Sequence, residues 1–342
     1  MEHRLLGRTG VSVSKLCLGA MMFGDWGTKD HDESIRIINR ALDAGINFID
    51  TADVYSQGES EVIVGEALAG GKRDDIVLAT KVWGPMGEDP NRCGNSRRWV
   101  IREVENSLRR LGTDWIDLYQ IHRYEPDTDL DETLGALTDL VRAGKVRYIG
   151  HTTFPVSAIV EAQWTARERD RERFMSEQPT YSILIRGIEA EVLPTCARYG
   201  MGVISYSPLA GGWLTGRYRK DSEVTGPASY ARQRLADRFD MSLPANQRKL
   251  EAADQLAELA DQAGMTLIQL AIAFVLRHPA VTAAIIGPRT MEHLESQLAA
   301  ADVELPDDVL DRIDEIVPPG TTINPADSGW VSPALQPSAR RR

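Results

Sequence analysis

Short apolar runs rich in β-forming residues alternate along the chain with longer segments whose apolar residues recur at helical spacing. Eight such runs occur, and this alternation predicts βαβ units around a parallel sheet. The predicted strands span residues 16–18, 48–49, 76–79, 116–121, 146–149, 174–176, 202–205 and 283–286. The predicted helices lie near residues 32–44, 59–69, 97–111, 130–143, 156–168, 187–199, 246–277 and 291–300.

Eight units favour a closed (β/α)₈ barrel over an open doubly wound sheet. The first predicted strand is not followed by G-x-G-x-x-G, which also counts against an open dinucleotide-binding sheet. Residues 4–6 and 11–13 flank a Gly-Arg-Thr-Gly turn and predict a hairpin that closes the N-terminal end of the barrel. Asp32 and Ser60 are expected to cap helix starts, and glycines 45, 112, 144 and 200 are expected to follow helix ends.

Two segments do not fit the repeat. One is a long stretch, 208–246, and the other is the tail that follows an extra C-terminal helix. Loops of this length are usually functional or mobile. We expect one domain over residues 1–342, with a long loop at 208–246 and a flexible tail at 319–342.

The composition restricts the class of protein. A formal net charge of −11 argues against a nucleic-acid partner, because phosphate binding needs a basic face. The three cysteines have neither the spacing of a disulfide framework nor that of a zinc site, so no metal is expected. No apolar stretch is long enough to span a membrane. We expect a cytoplasmic protein whose oligomeric state the sequence leaves open.

Polar side chains follow the predicted strands. In a (β/α)₈ barrel, catalytic residues lie at the C-terminal ends of the strands. The side chains at these ends are Asp50 with Tyr55 five residues later, Lys81, His122, Thr152 and Thr153, Gln178, Tyr206 and Ser207, and Gly287 with Arg289. Each alone has an ordinary structural explanation, such as a helix cap or a surface charge. Together they are expected to converge on one mouth of the barrel.

A set of Asp50, Tyr55, Lys81 and His122 suits carbonyl reduction, because a carbonyl that accepts hydride needs a proton at its oxygen. Free tyrosine is a weak acid at neutral pH, and a lysine ammonium beside it is expected to lower its pKa. The aspartate would hold that lysine. A neutral histidine can donate a hydrogen bond to the carbonyl oxygen and orient it.

Over residues 3–317 the chain resembles the aldo-keto reductases, in the segments GINFIDTADVY, ATK, QIH, GHTTF, SYSPL and IIGPRTMEHL. The resemblance implies Asp50, Tyr55, Lys81 and His122 as a catalytic tetrad with Tyr55 as proton donor. It also implies a nicotinamide cofactor that lies extended across the barrel mouth. The implied cofactor-binding residues are Tyr206 at the nicotinamide; Thr152, Thr153 and Gln178 at the carboxamide; Ser207, Leu209 and Gly211 at the pyrophosphate; and Gly287, Arg289, His293 and Gln297 at the adenosine phosphate end.

The sequence departs from the family pattern at some of these positions. The family commonly has Ser-Asn where this chain has Thr152-Thr153, and a threonine hydroxyl lacks the second donor of an amide. His293 and Gln297 also replace more usual residues. The guanidinium of Arg289 suits a 2′-phosphate, which favours NADPH over NADH. The loop 208–246 is expected to close over NADPH and shape the pocket of a small carbonyl substrate whose identity the sequence does not give.

Two other functions are compatible with parts of this pattern. A regulatory NADPH-binding subunit resembling the potassium-channel β-subunits would share the fold and the tetrad. A (β/α)₈ lyase or isomerase with a Schiff base at Lys81 would use Asp50 and Tyr55. The SYSPL and IIGPRT segments would then have no role, which disfavours the lyase.

Overall fold

The computed structural model describes residues 1–220, 235–332, 335 and 337–340. Eight parallel strands form a closed barrel in which β3 to β10 follow chain order and β10 pairs with β3, so the predicted (β/α)₈ barrel is confirmed. The strands are β1 His3–Leu5, β2 Ser12–Ser14, β3 Leu16–Gly19, β4 Phe48–Asp50, β5 Val77–Val82, β6 Ile116–Ile121, β7 Val146–Thr152, β8 Ser176–Gln178, β9 Gly202–Ser205 and β10 Ala283–Ile286.

Amphipathic helices cover the outside of the barrel. They are α1 His31–Asp43, α2 Glu59–Leu68, α3 Arg97–Leu111, α4 Leu130–Arg142, α5 Val156–Glu168, α6 Val192–Tyr199, α7 Pro244–Gln262, α8 Leu267–Arg277, α9 Met291–Leu298, α10 Asp307–Ile316 and the short α11 Pro337–Arg340. No single helix in the described part of the chain is long and apolar enough to cross a membrane, and only the pair α7 and α8, bent by 94°, reaches that length and composition together.

Several local predictions were wrong. Asp30, not Asp32, accepts the capping hydrogen bond of α1. Ser60 is no cap, because it lies inside α2 and its buried hydroxyl bonds to the carbonyl of Ala20. The single helix predicted at 246–277 is two helices, because Thr266 and Gln269 form a capping box that starts α8. The sixth barrel strand begins at Ser176, two residues later than the predicted start.

The N-terminal hairpin closes one end of the barrel, as predicted. Strands β1 and β2 pair antiparallel, and Leu6 and Val13 pack into the interior of the barrel. The backbone N–H of Arg8 donates to the carbonyl of Gly200, which lies two residues before the start of β9 at Gly202. The apolar interior consists of Leu6, Val13, Cys17, Phe48, Ala79, Leu118, Ile204, Ala283 and Ile285. The open end of the barrel is therefore the one that carries the carboxyl ends of the strands.

Residues 318–330, here called the C-terminal strap, run along the open end of the barrel. The ammonium of Lys249 on α7 is buried and lies 2.8 Å from the carboxylate of Asp327. The side chain of Asn324 donates to that of Asn246 at 2.8 Å. Residues 221–234 of the predicted loop, including Gly226 and Tyr230, lie outside the described residues. The flexibility expected of the tail from residue 319, and the single-domain organisation, stay predictions.

Candidate active site

Three of the four predicted catalytic side chains come from neighbouring strand ends, and the fourth comes from the segment that follows one of them. Asp50 is the last residue of β4, Lys81 lies near the end of β5, and His122 directly follows β6. Tyr55 begins a short 3₁₀ turn before α2. Since β4, β5 and β6 are adjacent parallel strands, their carboxyl ends meet at one edge, and the side chains converge as expected.

Lys81 is the centre of this group. Its ammonium pairs with Asp50, and both side chains are buried, at 0% and 3% exposure. The same ammonium donates to the backbone carbonyl of Thr51 at 2.9 Å and to the hydroxyl of Tyr55 at 3.1 Å. The three hydrogens of the ammonium thus have three acceptors, which fixes its position against the phenol.

Two buried glutamines hold the other side of Asp50. The Gln120 amide donates to Asp50 Oδ2 at 3.0 Å, and the Gln178 amide donates to the same oxygen at 2.8 Å. Gln178 also donates to the side-chain oxygen of Gln120 at 3.2 Å. Both N–H groups of Gln178 are therefore used inside the protein, and only its amide oxygen remains for a ligand.

Burial changes the expected acidity of Tyr55. Desolvation raises the pKa of the phenol above its ordinary value, and the charge of Lys81 opposes that rise without cancelling it. Lys81 therefore lowers the pKa of the phenol as expected, but burial outweighs its effect and the pKa lies above the ordinary value. Burial disfavours charge on Lys81 too, but Asp50 and Tyr55 together raise its pKa. The phenol of Tyr55 is therefore protonated, and the ammonium of Lys81 beside it is charged.

The charge on Lys81 also bears on the Schiff-base alternative. A nucleophilic amine must lose its proton, and lysines that form Schiff bases have a lowered pKa. Here the pKa of Lys81 is raised by Asp50 and Tyr55 despite burial. The arrangement disfavours nucleophilic attack by this amine.

His122 faces Tyr55 across the site. The two ring centroids are 5.7 Å apart and the ring planes are nearly perpendicular. Burial, together with the charges of Arg123 and Lys81, lowers the pKa of His122 well below its ordinary value. Its Nδ1 is buried without a hydrogen-bond partner in the part of the chain that the structure describes. A neutral imidazole at neutral pH follows.

The residues predicted to hold the carboxamide lie beside the tetrad. The backbone N–H of Thr153 donates to the carbonyl of Gln178 at 3.2 Å, and its hydroxyl lies 3.3 Å from that of Tyr206. The hydroxyl of Thr152 instead donates to the carbonyl of His122. Thr153 has a φ of 55°, a left-handed conformation that Asn adopts more readily than a β-branched residue. The strap residue Gly329 packs here, since a Cβ on it would lie 2.5 Å from the Tyr206 hydroxyl.

The predicted pyrophosphate residues form a tight turn after β9. Ser207, Ala210 and Gly211 have φ values of 58°, 49° and 67°. The N–H of Ala210 donates to the carbonyl of Ser207 at 2.8 Å, and Leu209 lies within the same turn. The N–H groups of Gly212 and Trp213 also donate within the turn, to the carbonyls of Leu209 and Ala210. Backbone N–H groups that such a turn leaves unpaired are available to bind an anion.

The predicted adenosine-end residues lie on the adjacent strand end and on α9. Gly287 is exposed just after β10, and Arg289 follows, with its carbonyl accepting from the Thr28 hydroxyl at 2.8 Å. Burial lowers the pKa of His293, and the nearby charges of Arg289 and Arg217 lower it further. Gln297, one turn later on α9, is buried, and its side-chain oxygen has no hydrogen-bond partner among the residues described.

The sequence argument missed four residues at the site. Gln120 binds Asp50, Arg123 follows His122, and the ring of Trp26 lies 5.9 Å from that of Tyr55. The charge of Arg217, which lies in the glycine-rich segment after β9, lowers the pKa of His293. A signal existed for Gln120, which stands two residues before His122 and so faces the same side of the strand. Nothing in the described part of the chain groups three or more potential metal ligands.

Comparison with known proteins adds to this geometry. The model of the aldo/keto reductase family matches residues 15–318. An uncharacterized oxidoreductase of Bacillus subtilis is 40% identical, over 93% of this chain and 96% of its own length. A probable voltage-gated potassium channel subunit beta of rice is 34% identical, over 93% and 97%. A putative aryl-alcohol dehydrogenase of Schizosaccharomyces pombe is 33% identical, over 91% and 94%.

Proposed function

Because the chain belongs to the aldo/keto reductase family, we propose that this oxidoreductase uses NADPH to reduce an aldehyde or ketone to an alcohol, with Tyr55 as proton donor. The observation that carries the proposal is the hydrogen-bonded series from Asp50 through Lys81 to Tyr55. It places a protonated phenol beside a fixed ammonium at the barrel mouth.

Tyr55 would give its proton to the carbonyl oxygen as negative charge develops there. The phenolate that remains is stabilised by the Lys81 ammonium at 3.1 Å. Asp50 keeps the ammonium charged and in place, while Gln120 and Gln178 hold the carboxylate. The raised pKa keeps Tyr55 protonated before the reaction, so the proton is available over the neutral range.

His122 would orient the substrate. Its lowered pKa keeps the imidazole neutral, and a neutral imidazole has one N–H donor. We place that proton on Nε2, because buried N–H groups without acceptors are rarer than buried unpaired acceptors and Nδ1 has no partner. A hydrogen bond from Nε2 would then direct the carbonyl oxygen toward Tyr55.

The residues present fit an extended dinucleotide. One end offers Thr153, Tyr206 and the free amide oxygen of Gln178, which could accept from a carboxamide NH₂. Next comes the left-handed turn around Ala210, which suits a pyrophosphate. When bound, the reduced nicotinamide supplies hydride to the carbonyl carbon. Thr152 has a remaining lone pair for the carboxamide but no free proton, since its hydroxyl donates to His122.

The adenosine end supports NADPH over NADH. Arg289 and Arg217 both lie near His293, and the two guanidinium groups together suit the double charge of a 2′-phosphate. Gln297 would find a partner for its buried side-chain oxygen in the adenosine. Gly287 leaves its strand end open for the approach of the cofactor, with no other heavy atom within 4 Å of a Cβ built on it.

The test is NADPH consumption with benzaldehyde by the wild-type protein and Tyr55→Phe. We expect turnover to fall by about two to four orders of magnitude in the variant, as for loss of a general acid, with NADPH still bound. Tyr148→Phe is the matched control, because among the residues that the structure describes that hydroxyl bonds only to the Thr9 carbonyl, at the closed end of the barrel. Full activity in Tyr55→Phe would remove Tyr55 from the role of proton donor.

The rice relative supports a second candidate, a regulatory NADPH-binding subunit with little turnover. A regulatory subunit would have the same fold and tetrad as a reductase. The two functions are therefore distinguished by measuring whether the protein carries out multiple turnovers with NADPH in excess. NADPH binding without steady-state consumption across aldehydes and ketones favours the regulatory subunit. We also propose a reducing, cytoplasmic compartment, supported by Cys17, Cys93 and Cys196, all of which are free.

A further inference from the structure

Arg123 directly follows the proposed orienting histidine and has unused hydrogen-bonding capacity. Its Nη1 donates to the carbonyl of His122 at 2.6 Å and to the hydroxyl of Thr152 at 2.7 Å. A guanidinium has five N–H donors, of which Nη1 carries two. The three donors on Nε and Nη2 have no acceptor among the residues that the structure describes. These two bonds therefore hold the guanidinium of Arg123 at the barrel mouth and leave the edge formed by Nε and Nη2 without a partner among those residues.

Its charge is also unpaired. Arg123 forms no ion pair with any residue that the structure describes. The nearest acid in the sequence, Glu125, directs one carboxylate oxygen to the backbone N–H of Asn95 and the hydroxyl of Thr128. The other charges at the tetrad, Lys81 and Asp50, neutralise each other. Arg123 consequently gives the substrate side of the mouth a net positive charge.

The side chain lies close enough to the reacting groups to act on them. It is half-buried, and its positive charge contributes to lowering the pKa of His122 and opposes the rise in that of Tyr55. Water and salt screen a half-buried charge less than they screen a fully exposed one. An anion that binds the open edge of Arg123 would therefore lie beside the carbonyl position defined by Tyr55 and His122.

We propose that Arg123 is a specificity-determining residue that binds the carboxylate of an anionic carbonyl substrate; this inference rests on the proposed function. A guanidinium fork matches a carboxylate geometrically, because two parallel N–H groups meet its two oxygens. Trp26 and Tyr55 supply aromatic surface at the site, with ring centroids 5.9 Å apart. The substrate class is thus an aldehyde or ketone with an apolar body and a carboxylate.

The test uses matched pairs of substrates that differ in charge. The 2-, 3- and 4-carboxybenzaldehydes are each compared with their methyl esters, and kcat/KM is measured from NADPH absorbance. The acid-to-ester ratio cancels any general loss of activity. We expect at least one isomer to show a ratio of about ten or more in the wild type, the size of a charge-assisted hydrogen bond. The isomer that responds reports the distance from carbonyl to carboxylate.

Three variants identify the origin of that ratio. Arg123→Met should bring it to about one, and Arg123→Lys should give an intermediate value, because charge remains but the fork is lost. Arg92→Met is the control for total charge, because Arg92 lies in the loop after β5 and, within the described part of the chain, its guanidinium has a single ion pair, to Asp89 at 3.9 Å. That control should keep the wild-type ratio.

Other results overturn the inference. An equal ratio in wild type and Arg123→Met would show that Arg123 only positions His122 and Thr152. A weaker NADPH Kd in Arg123→Met with an unchanged ratio would assign its free donors to the cofactor instead. If the wild type consumes NADPH with neither acids nor esters, the proposed function itself fails and the inference with it. Turnover of esters without preference for any acid rejects only the role of Arg123.

Discussion

Replacing Lys81 with Met tests whether the buried pair is both a structural and a catalytic element. Exposed ion pairs contribute about 0–1 kcal/mol, whereas removing one partner of a buried pair costs about 3–5 kcal/mol. The exposures of 0% for Lys81 and 3% for Asp50 place this pair in the second class. Gln120 and Gln178 still donate to Asp50 Oδ2, so we expect a loss of about 3 kcal/mol.

The double variant Asp50→Asn/Lys81→Met separates the two roles. It removes both buried charges, so it should recover at least about 2 kcal/mol of the unfolding free energy lost in Lys81→Met. It should not recover carbonyl reduction, because Tyr55 still lacks the ammonium that stabilises its phenolate. We expect both variants to lose turnover by about two to four orders of magnitude.

The measurements are urea unfolding followed by fluorescence, and NADPH consumption with benzaldehyde. Lys72→Met is the surface control, since that ammonium contacts Asn39 in solvent and should change stability by less than about 1 kcal/mol. Wild-type stability in Lys81→Met would refute the buried-charge reasoning. A double variant no more stable than the single one would show that lost packing, not the unpaired carboxylate, causes the effect.

Three further predictions follow from the site. Arg289→Ala should weaken NADPH binding by about 1.5–3 kcal/mol and NADH binding much less, measured by fluorescence titration; equal weakening would show that Arg289 does not contact the 2′-phosphate. Reduction should hold from neutral pH up to the pKa of Tyr55, which burial raises above its ordinary value, and should then fall as the proton is lost. No loss is expected at pH 6.5 on the acid side, because the pKa of His122 lies well below its ordinary value. A kcat/KM profile against pH checks both limits. Gly329→Ala should cost roughly 1–2 kcal/mol of stability, since its φ is 80°, and should raise the NADPH Kd by displacing Tyr206; an unchanged Kd would show that the strap does not affect the cofactor site.

The sequence predicted the barrel because its evidence is local and repeated. Apolar runs recur in every unit, and glycines follow the predicted helices in half of them. Of these, Gly112 and Gly200 are the C-cap residues of α3 and α6 and have positive φ. The convergence of Asp50, Lys81 and His122 needed only the rule that parallel strand ends meet at one edge. The closeness of these three side chains then follows from the order of the strands in the barrel.

Other features depend on contacts between distant segments. The raised pKa of Tyr55 reflects the desolvation of its phenol by segments that are distant in the sequence, and the sequence does not record that environment. The guanidinium of Arg123 is positioned by hydrogen bonds to the carbonyl of His122 and to the hydroxyl of Thr152, and Thr152 belongs to the next strand. The break between α7 and α8 did have a local signal in Thr266 and Gln269, and the long apolar periodicity on either side obscured it.

The position of the C-terminal strap has a consequence for biosynthesis. The ribosome makes residues 318–330 after all eight barrel strands, and Gly329 packs on Tyr206 while Asp327 pairs with Lys249. A nascent chain therefore has all eight barrel strands before the segment that packs on Tyr206, the proposed nicotinamide-binding residue, has been made. Tight cofactor binding would then distinguish finished chains from prematurely terminated ones. Because a ligand that binds only the folded state stabilises it by mass action, the proposed cofactor NADPH would protect chains that carry the strap from proteolysis more than chains that lack it.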